Sequence, residues 1–227
     1  TLISLLPLLE GERITTALNV KDFKNGYLVM FTKAGIVKKT ALSEYSNPRT
    51  KGIIAINLDE GDELIAVKKT TGSNDLIIGT KNGLAARFKE EDVRPVGRTA
   101  RGVIGIRLSE GDEVVSAEVV EEGMSLLTIT EKGLGKRTEI SEYPVHGRGG
   151  KGVISIKVTE KGGKAVGLIQ VRDDSEIVMI TSSGKLIRMP ALNISVQGRN
   201  TQGVRLMDIG PDDRIVSIGR VLEDDQL

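Results

Sequence analysis

Short apolar runs parted by glycine-bearing polar turns repeat along the whole chain. Between Val103 and Ile140 there are four such runs, Val103 to Leu108, Glu113 to Val120, Ser125 to Thr130 and Leu134 to Ile140, separated by Gly-Asp, Glu-Gly and Thr-Glu-Lys-Gly. Runs of this length, rich in Val, Ile and Leu and bounded by turn residues, predict strands. The third run of each unit, Leu28-Val-Met-Phe, Leu76-Ile-Ile, Leu126-Leu-Thr-Ile and Ile177-Val-Met-Ile, is almost continuously apolar, which predicts a strand covered on both faces. The fourth run alternates, as in Ile36-Val-Lys-Lys and Leu134-Gly-Lys-Arg, so one of its faces is expected to be wet.

The four-strand unit recurs at one period. Its Thr-x-x-Gly tetrads, Thr32 to Gly35, Thr80 to Gly83, Thr130 to Gly133 and Thr181 to Gly184, stand 48, 50 and 51 residues apart. The glycines closing each unit, Gly52, Gly102, Gly152 and Gly203, stand 50, 50 and 51 apart, and the turns Gly61-Asp62, Gly111-Asp112 and Pro211-Asp212 keep nearly the same step. A glycine ending each tetrad supplies the positive φ of a short hairpin, with Asn82-Gly83 the strongest instance. Four-stranded units of this length, stacked face to face, build propeller blades. The expected fold is therefore all-β, a propeller-like disc forming one repeat domain over 1–227. Its repeats are 1–52, 53–102, 103–152 and 153–203, with a half repeat and tail at 204–227. The strands of that half repeat, Val204 to Met207 and Arg214 to Val221, are expected to lack partners, and closing the ring would need strands from sequence before Thr1.

Length alone permits one large or two small domains, and 227 residues are enough to bury a core. With aromatics at 3% and no Trp, that core must be Val, Ile and Leu. The absence of Cys removes disulfides and thiolate metal sites and suits a reducing compartment. No metal cluster, signal segment or membrane-length apolar run is visible, so a soluble protein without a membrane partner is expected. A chain beginning at Thr1 rather than Met fits a piece of something longer.

Net charge is only +1, but its distribution is uneven. The fourth strand and closing loop of each repeat, residues 36–52, 84–102, 134–152 and 185–203, hold 16 Lys and Arg against 6 Asp and Glu, while the remainder holds 16 against 25. An excess of ten positive charges thus rides on one repeated element and nine negative charges on everything else. On a ring of blades that element would run round the rim as a basic track, able to neutralise phosphates and release counterions. Stacking platforms for single strands need aromatics, and three Phe with three Tyr make duplex backbone the better target. Loops such as Gly97-Arg-Thr-Ala-Arg-Gly and Gly147-Arg-Gly-Gly-Lys-Gly let main-chain N–H groups approach phosphate without reading bases. A curved cationic rim would bend the duplex at an elastic cost offset by many phosphate contacts. The expected DNA contacts are Lys38, Lys39, Arg49, Lys51, Arg87, Arg98, Arg101, Lys136, Arg137, Arg148, Lys151, Lys185, Arg188 and Arg199.

The loops Arg98-Thr-Ala-Arg-Gly-Val, Gly147-Arg-Gly-Gly-Lys-Gly-Val and Gln197-Gly-Arg-Asn-Thr-Gln-Gly-Val-Arg, with Ile56-Asn-Leu-Asp-Glu-Gly-Asp-Glu-Leu and Lys136-Arg-Thr, resemble the repeats of the C-terminal domain of bacterial DNA gyrase A. The resemblance covers essentially the whole chain. It implies a β-pinwheel, a disc whose blades exchange strands, with about five of its six blades represented, wrapping duplex DNA to enable negative supercoiling. It further implies a parent type IIA topoisomerase, with the remainder of gyrase A and its gyrase B companion as partners in an A2B2 complex. ATP and Mg2+ would serve that holoenzyme, with no cofactor in this chain, in the bacterial cytoplasm at the nucleoid. The family's Q-R-R-G-G-K-G box has its nearest match in His146-Gly-Arg-Gly-Gly-Lys-Gly, which keeps the last five residues and replaces the first two. On this count the box proper would precede Thr1.

A catalytic reading has little support. His146 has no nucleophile motif beside it and sits in a Gly-Arg loop. The acids Asp59-Glu60-Gly61-Asp62-Glu63 and Glu110-Gly111-Asp112-Glu113 recur at one turn of each unit, which predicts turn chemistry. Tyr27, Tyr45 and Tyr143 show no catalytic context. The C-terminal domain of topoisomerase IV, with eroded boxes, stays open as an alternative, and a WD40 or kelch interaction propeller is a more distant one, disfavoured by the lack of Trp.

Overall fold

A computed structural model describes Leu8 and residues 11–49 and 52–221. Fifteen strands among these residues form four antiparallel sheets, as the all-β reading expects. The first sheet comprises β1 (Tyr27–Thr32), β2 (Ile36–Ala41), β3 (Leu64–Thr70) and β6 (Val103–Ile104), in the order β3-β1-β2-β6. The second holds β4 (Asp75–Thr80), β5 (Leu84–Lys89), β7 (Val114–Val119) and β10 (Val153–Ile154). The third holds β8 (Ser125–Thr130), β9 (Leu134–Glu139), β11 (Ala165–Val171) and β14 (Val204–Arg205). The fourth has three strands, β12 (Glu176–Thr181), β13 (Leu186–Pro190) and β15 (Ile215–Arg220). β3 packs against β7, β7 against β11 and β11 against β15, stacking the sheets side by side.

The sheets are out of phase with the sequence repeats. After the hairpin β4-β5 the chain leaves its own sheet, lends β6 to the edge of β2 in the first, and returns as β7. β10 and β14 are lent backwards in the same way. This corrects the expected fate of the final half repeat: Val204 and Arg205 pair with Gly135 and Leu134, and β15 pairs with β12. The element without a fourth strand among the described residues is instead the outer edge of β13.

Two glycines per repeat make the exchange sterically possible. A Cβ on the tetrad glycines Gly35, Gly83 and Gly133 would lie 2.7, 2.4 and 2.5 Å from the carbonyl oxygens of Ile106, Ile156 and Met207, just beyond the lent strands. The closing glycines Gly102, Gly152 and Gly203 press equally close on the carbonyls of Val37, Ala85 and Gly135. All six have positive φ, so each is needed both for its turn and for close backbone approach.

The core lies between sheets. Val29, Phe31 and Val37 meet Leu76, Ile78 and Phe88 between the first and second; Ile77 and Ala85 meet Leu126 and Leu168 between the second and third; Leu127 and Ile129 meet Ile177 and Met179 between the third and fourth. Each of these side chains larger than alanine contributes about 1.5–3 kcal/mol of burial. This two-sided cover extends to two of the fourth strands, β2 and β9, where alternation predicted a wet face. β2 and β9 are buried up to their last residues, Lys and Arg included, because β6 and β14 extend their edges and the loop segments at Ala55, Gly97-Arg98 and Gly198-Arg199 close over the side expected to meet water.

Candidate nucleic-acid interface

Beyond β2, β5, β9 and β13 the chain makes one 3-10 turn each, at Leu42–Tyr45, Glu90–Asp92, Ile140–Glu142 and Ala191–Asn193. Buried Tyr45, Val93, Tyr143 and Ile194 then anchor the start of a rim loop. Three of these loops are zipped onto the preceding sheet: the Val96, His146 and Gln197 N–H groups donate to the carbonyls of Lys39, Arg87 and Arg137 at 2.8, 3.0 and 2.8 Å. The far ends are tied too, as Asn57, Arg107 and Lys157 donate N–H to Ala100, Gly150 and Thr201 at 3.3, 2.9 and 2.8 Å.

One contact recurs in three of the four loops; the first has Pro48 at the matching place. The guanidinium groups of Arg98, Arg148 and Arg199 donate to the carbonyls of Ile54, Ile104 and Ile154 at 2.8, 3.1 and 3.2 Å. Arg148 also donates through Nε to Asp92 O at 2.8 Å. Since arginine carries five N–H donors, these bonds orient each head while leaving donors for a phosphate. Arg148 is exposed, and Arg98 and Arg199 are half-buried.

The expected contact residues divide into two groups. Arg49, Arg101, Arg148, Lys151, Lys185 and Arg188 are exposed and join the half-buried Arg98 and Arg199; Lys51 lies outside the described residues. Two of these cations already have carboxylate partners, Arg101 with Asp59 at 2.5 Å and Arg188 with Glu176. The strand cations are different: Lys38, Lys39, Arg87, Lys136 and Arg137 are buried, which corrects the expectation that they line the rim surface. Lys39 donates to Glu90 O at 3.0 Å and stands 5.0 Å from the Tyr27 ring centroid. Arg87 is held by Asp75 and Glu122 at 2.7 and 2.6 Å and by Ile140 O at 3.2 Å. Arg137 is held by Asp173 and, at 2.8 Å, by Ile194 O. Lys38 Nζ donates to Ala55 O at 2.6 Å, Gly97 O at 3.2 Å and Arg98 O, and Lys136 Nζ to Arg199 O at 2.6 Å and Gly198 O. Burial, with Arg98 nearby, lowers the Lys38 ammonium to about 8. Burial likewise lowers Lys136 to about 8, Glu142 opposing and Arg199 adding to it.

Sequence reasoning missed Arg107 and Lys157. Both are exposed, at the ends of the segments carrying the lent strands, with their main-chain N–H groups bonded to the rim loops. Their 50-residue spacing was the available signal. The track thins in the next copy, where Gln202 and Asp208 stand at the places of Lys151 and Lys157.

The turn acids behave as turn chemistry. Asp62, Asp112 and Asp213 accept the N–H groups of Ala34, Asn82 and Ser183 at 2.8, 2.9 and 3.0 Å, each capping the tetrad turn of the sheet it faces. Hydrogen bonds from Ser183, Ser182 and Thr181 hold the Asp213 carboxyl well below the usual range. Among the described residues no group of three or more His, Cys, Asp or Glu is placed to hold a metal ion, and no helix is long and apolar enough to cross a membrane.

A family model described as DNA gyrase C-terminal domain, beta-propeller, matches residues 26–71, 74–121, 125–172 and 175–221, one stretch per sheet. The chain is 54% identical over 228 residues to the DNA gyrase A protein of Halalkalibacterium halodurans, covering 100% of this chain and 27% of that protein. It spans about a quarter of the length of the curated relatives it matches. Among solved structures, the C-terminal domain of DNA topoisomerase IV superposes with a TM-score of 0.91 at 29% identity, covering 97% of this chain and 69% of the other. The DNA gyrase A C-terminal domain superposes with a TM-score of 0.86 at 30% identity, covering 97% and 74%.

Proposed function

The chain belongs to the DNA gyrase C-terminal domain, beta-propeller family, and from that premise we propose that it binds duplex DNA along its rim loops and bends the duplex around them. The observation that carries the reading is the recurring loop arginine, Arg98, Arg148 and Arg199, each tied to the carbonyl of the same segment in successive repeats. Evenly placed cations on a stack of sheets contact phosphates at intervals without base readout, and the cost of bending is offset by their number. Arg49, Arg101, Arg107, Lys151, Lys157, Lys185 and Arg188 extend the track. Of the fourteen cations expected from sequence to meet phosphate, Lys38, Lys39, Arg87, Lys136 and Arg137 serve instead to build the rim.

The chemistry of strand passage belongs to other parts of the assembly: the remainder of gyrase A, as a dimer, and gyrase B, in an A2B2 complex in the bacterial cytoplasm at the nucleoid. This chain positions DNA for an ATP-dependent gyrase and holds neither nucleotide nor Mg2+ itself. Topoisomerase IV is the second reading, since its C-terminal domain shares the fold at a TM-score of 0.91; the 54% identity to a gyrase A protein favours gyrase.

Ligating nicked DNA circles in the presence of the full-length protein tests the proposal. A linking-number change of constant sign that grows with protein is expected. Binding without such a change overturns wrapping, and no binding overturns the DNA reading.

A further inference from the structure

The rim loops face one structural requirement and meet it in two ways. Counting from the tetrad glycine, Lys38, Ala86 and Lys136 occupy one column of the fourth strands. Beneath the loop at Gly97-Arg98, the Lys38 ammonium reaches Gly97 O, Arg98 O and, across the gap, Ala55 O at 2.6 Å. Beneath the loop at Gly198-Arg199, Lys136 reaches the two equivalent loop carbonyls. Beneath the loop at Gly147-Arg148 there is no lysine. Ala86 lines a cavity of about 170 Å3 there with Arg87, His146, Gly147 and Lys151.

The carbonyl equivalent to Ala55 is that of Gly105, 50 residues on. It is not left without a donor: the Gly149 N–H donates to it at 2.7 Å. Gly149 does so with φ +77, whereas Thr99 and Asn200 at the matching places have no positive φ. A Cβ on Gly149 would meet nothing closer than Ile104 O at 3.6 Å. Space therefore permits a side chain, and the left-handed backbone is what demands glycine. A main-chain N–H takes over the ammonium's acceptor in the repeat where the lysine is missing, and the lysine's volume is left as a cavity.

We propose that Lys38, Lys136 and Gly149 are positioning residues of the DNA-binding rim, each fixing a loop so that its arginine is held over the Ile54, Ile154 or Ile104 carbonyl. A buried lysine and a left-handed glycine are alternative latches, so the Gly-Gly of the 147–152 loop is a replacement for the lysine at position 86. The proposal rests on the reading of these loops as DNA contacts, and its test separates the two.

Amide hydrogen exchange of residues 147–152 is measured in the full-length protein without DNA, alongside duplex affinity at fixed salt. Gly149→Thr is expected to speed loop exchange about tenfold through the lost left-handed turn and to weaken duplex binding. Adding Ala86→Lys to it restores both, because the new ammonium reaches Gly105 O as Lys38 reaches Ala55 O. Gly150→Ala, at a glycine without positive φ and with only Gly147 O near its Cβ, at 3.9 Å, changes neither. Failure of Ala86→Lys to slow the exchange of Gly149→Thr, or an equal loosening by Gly150→Ala, overturns the latch. Rescue of exchange while affinity stays constant throughout upholds the latch and overturns the DNA reading of this loop.

Discussion

Arg137 and Arg188 stand four residues beyond the tetrad glycines Gly133 and Gly184, in the same place on two successive sheets. The Arg137 side chain is 5% exposed and held by Asp173 and Ile194 O, while that of Arg188 is 61% exposed and paired with Glu176. Beside Arg137, β14 pairs with the edge of β9, and the loop leading into β14 bridges Arg137 at Val196. Beside Arg188, β13 has no fourth strand among the described residues, and Leu186 is 60% exposed. What a cation does in this fold is thus decided by the neighbour that lends it a strand. Covered cations become internal struts, and those on loops or uncovered strands stay exposed, where a polyanion can reach them.

Substitution at the two arginines gives the widest predicted gap. Arg137→Ala leaves the Ile194 carbonyl without its donor and removes a buried cation whose carboxylate partner, Asp173, is exposed, lowering stability by about 3 kcal/mol. Arg188→Ala stays within about 0.5 kcal/mol, as for other exposed pairs. Urea denaturation midpoints check both, and equal losses would break the distinction. The tetrad glycines repeat the contrast on a smaller scale. Gly83→Ala meets both φ +81 and Ile156 O at 2.4 Å, and costs about 2 kcal/mol. Gly184→Ala, at φ +84 with nothing within 4 Å, costs about 1 kcal/mol.

The repeat, the hairpins and the turn acids were legible because their causes are local. Asn82-Gly83 needs only its own backbone to announce a turn, and Asp112 closes its own turn by donating N–H to Ser109 O at 3.0 Å, although the N–H it caps at Asn82 lies 30 residues away. Strand exchange was legible only through the family resemblance: Val103–Ile104 and Val153–Ile154 are two-residue strands too short to specify a partner, and nothing in them distinguishes their own sheet from the one before. The same blindness placed Lys38 and Lys136 on a wet face, since alternation reports two environments without saying what fills them. Their column held a clue. A site that is Lys in two repeats, Ala86 in another and Ile187 in the last behaves as an interior position of variable filling.

A further contrast distinguishes buried lysines from surface ones by pH. Burial lowers Lys38 and Lys136 to about 8 from 10.5. Between those values the unfolded chain binds more protons than the folded one, so stability rises as pH increases from 8 towards 10.5 and is insensitive to these groups below 8. Lys136→Met removes part of that rise in denaturation midpoint, while Lys185→Met, at an exposed position, leaves it intact. A wild-type profile with no rise, or one equally altered by both, would break this contrast.

The division into internal and external cations is tested most directly by duplex affinity against salt. Each phosphate contact contributes about 0.9 to the slope of log K against log salt. If Arg98, Arg148 and Arg199 each hold one phosphate, replacing all three by Ala in the full-length protein lowers the slope by about 2.7, with the denaturation midpoint recorded beside it to confirm that the sheets remain folded. An unchanged slope in the folded triple variant, or a flat salt dependence in the wild type, would contradict the account.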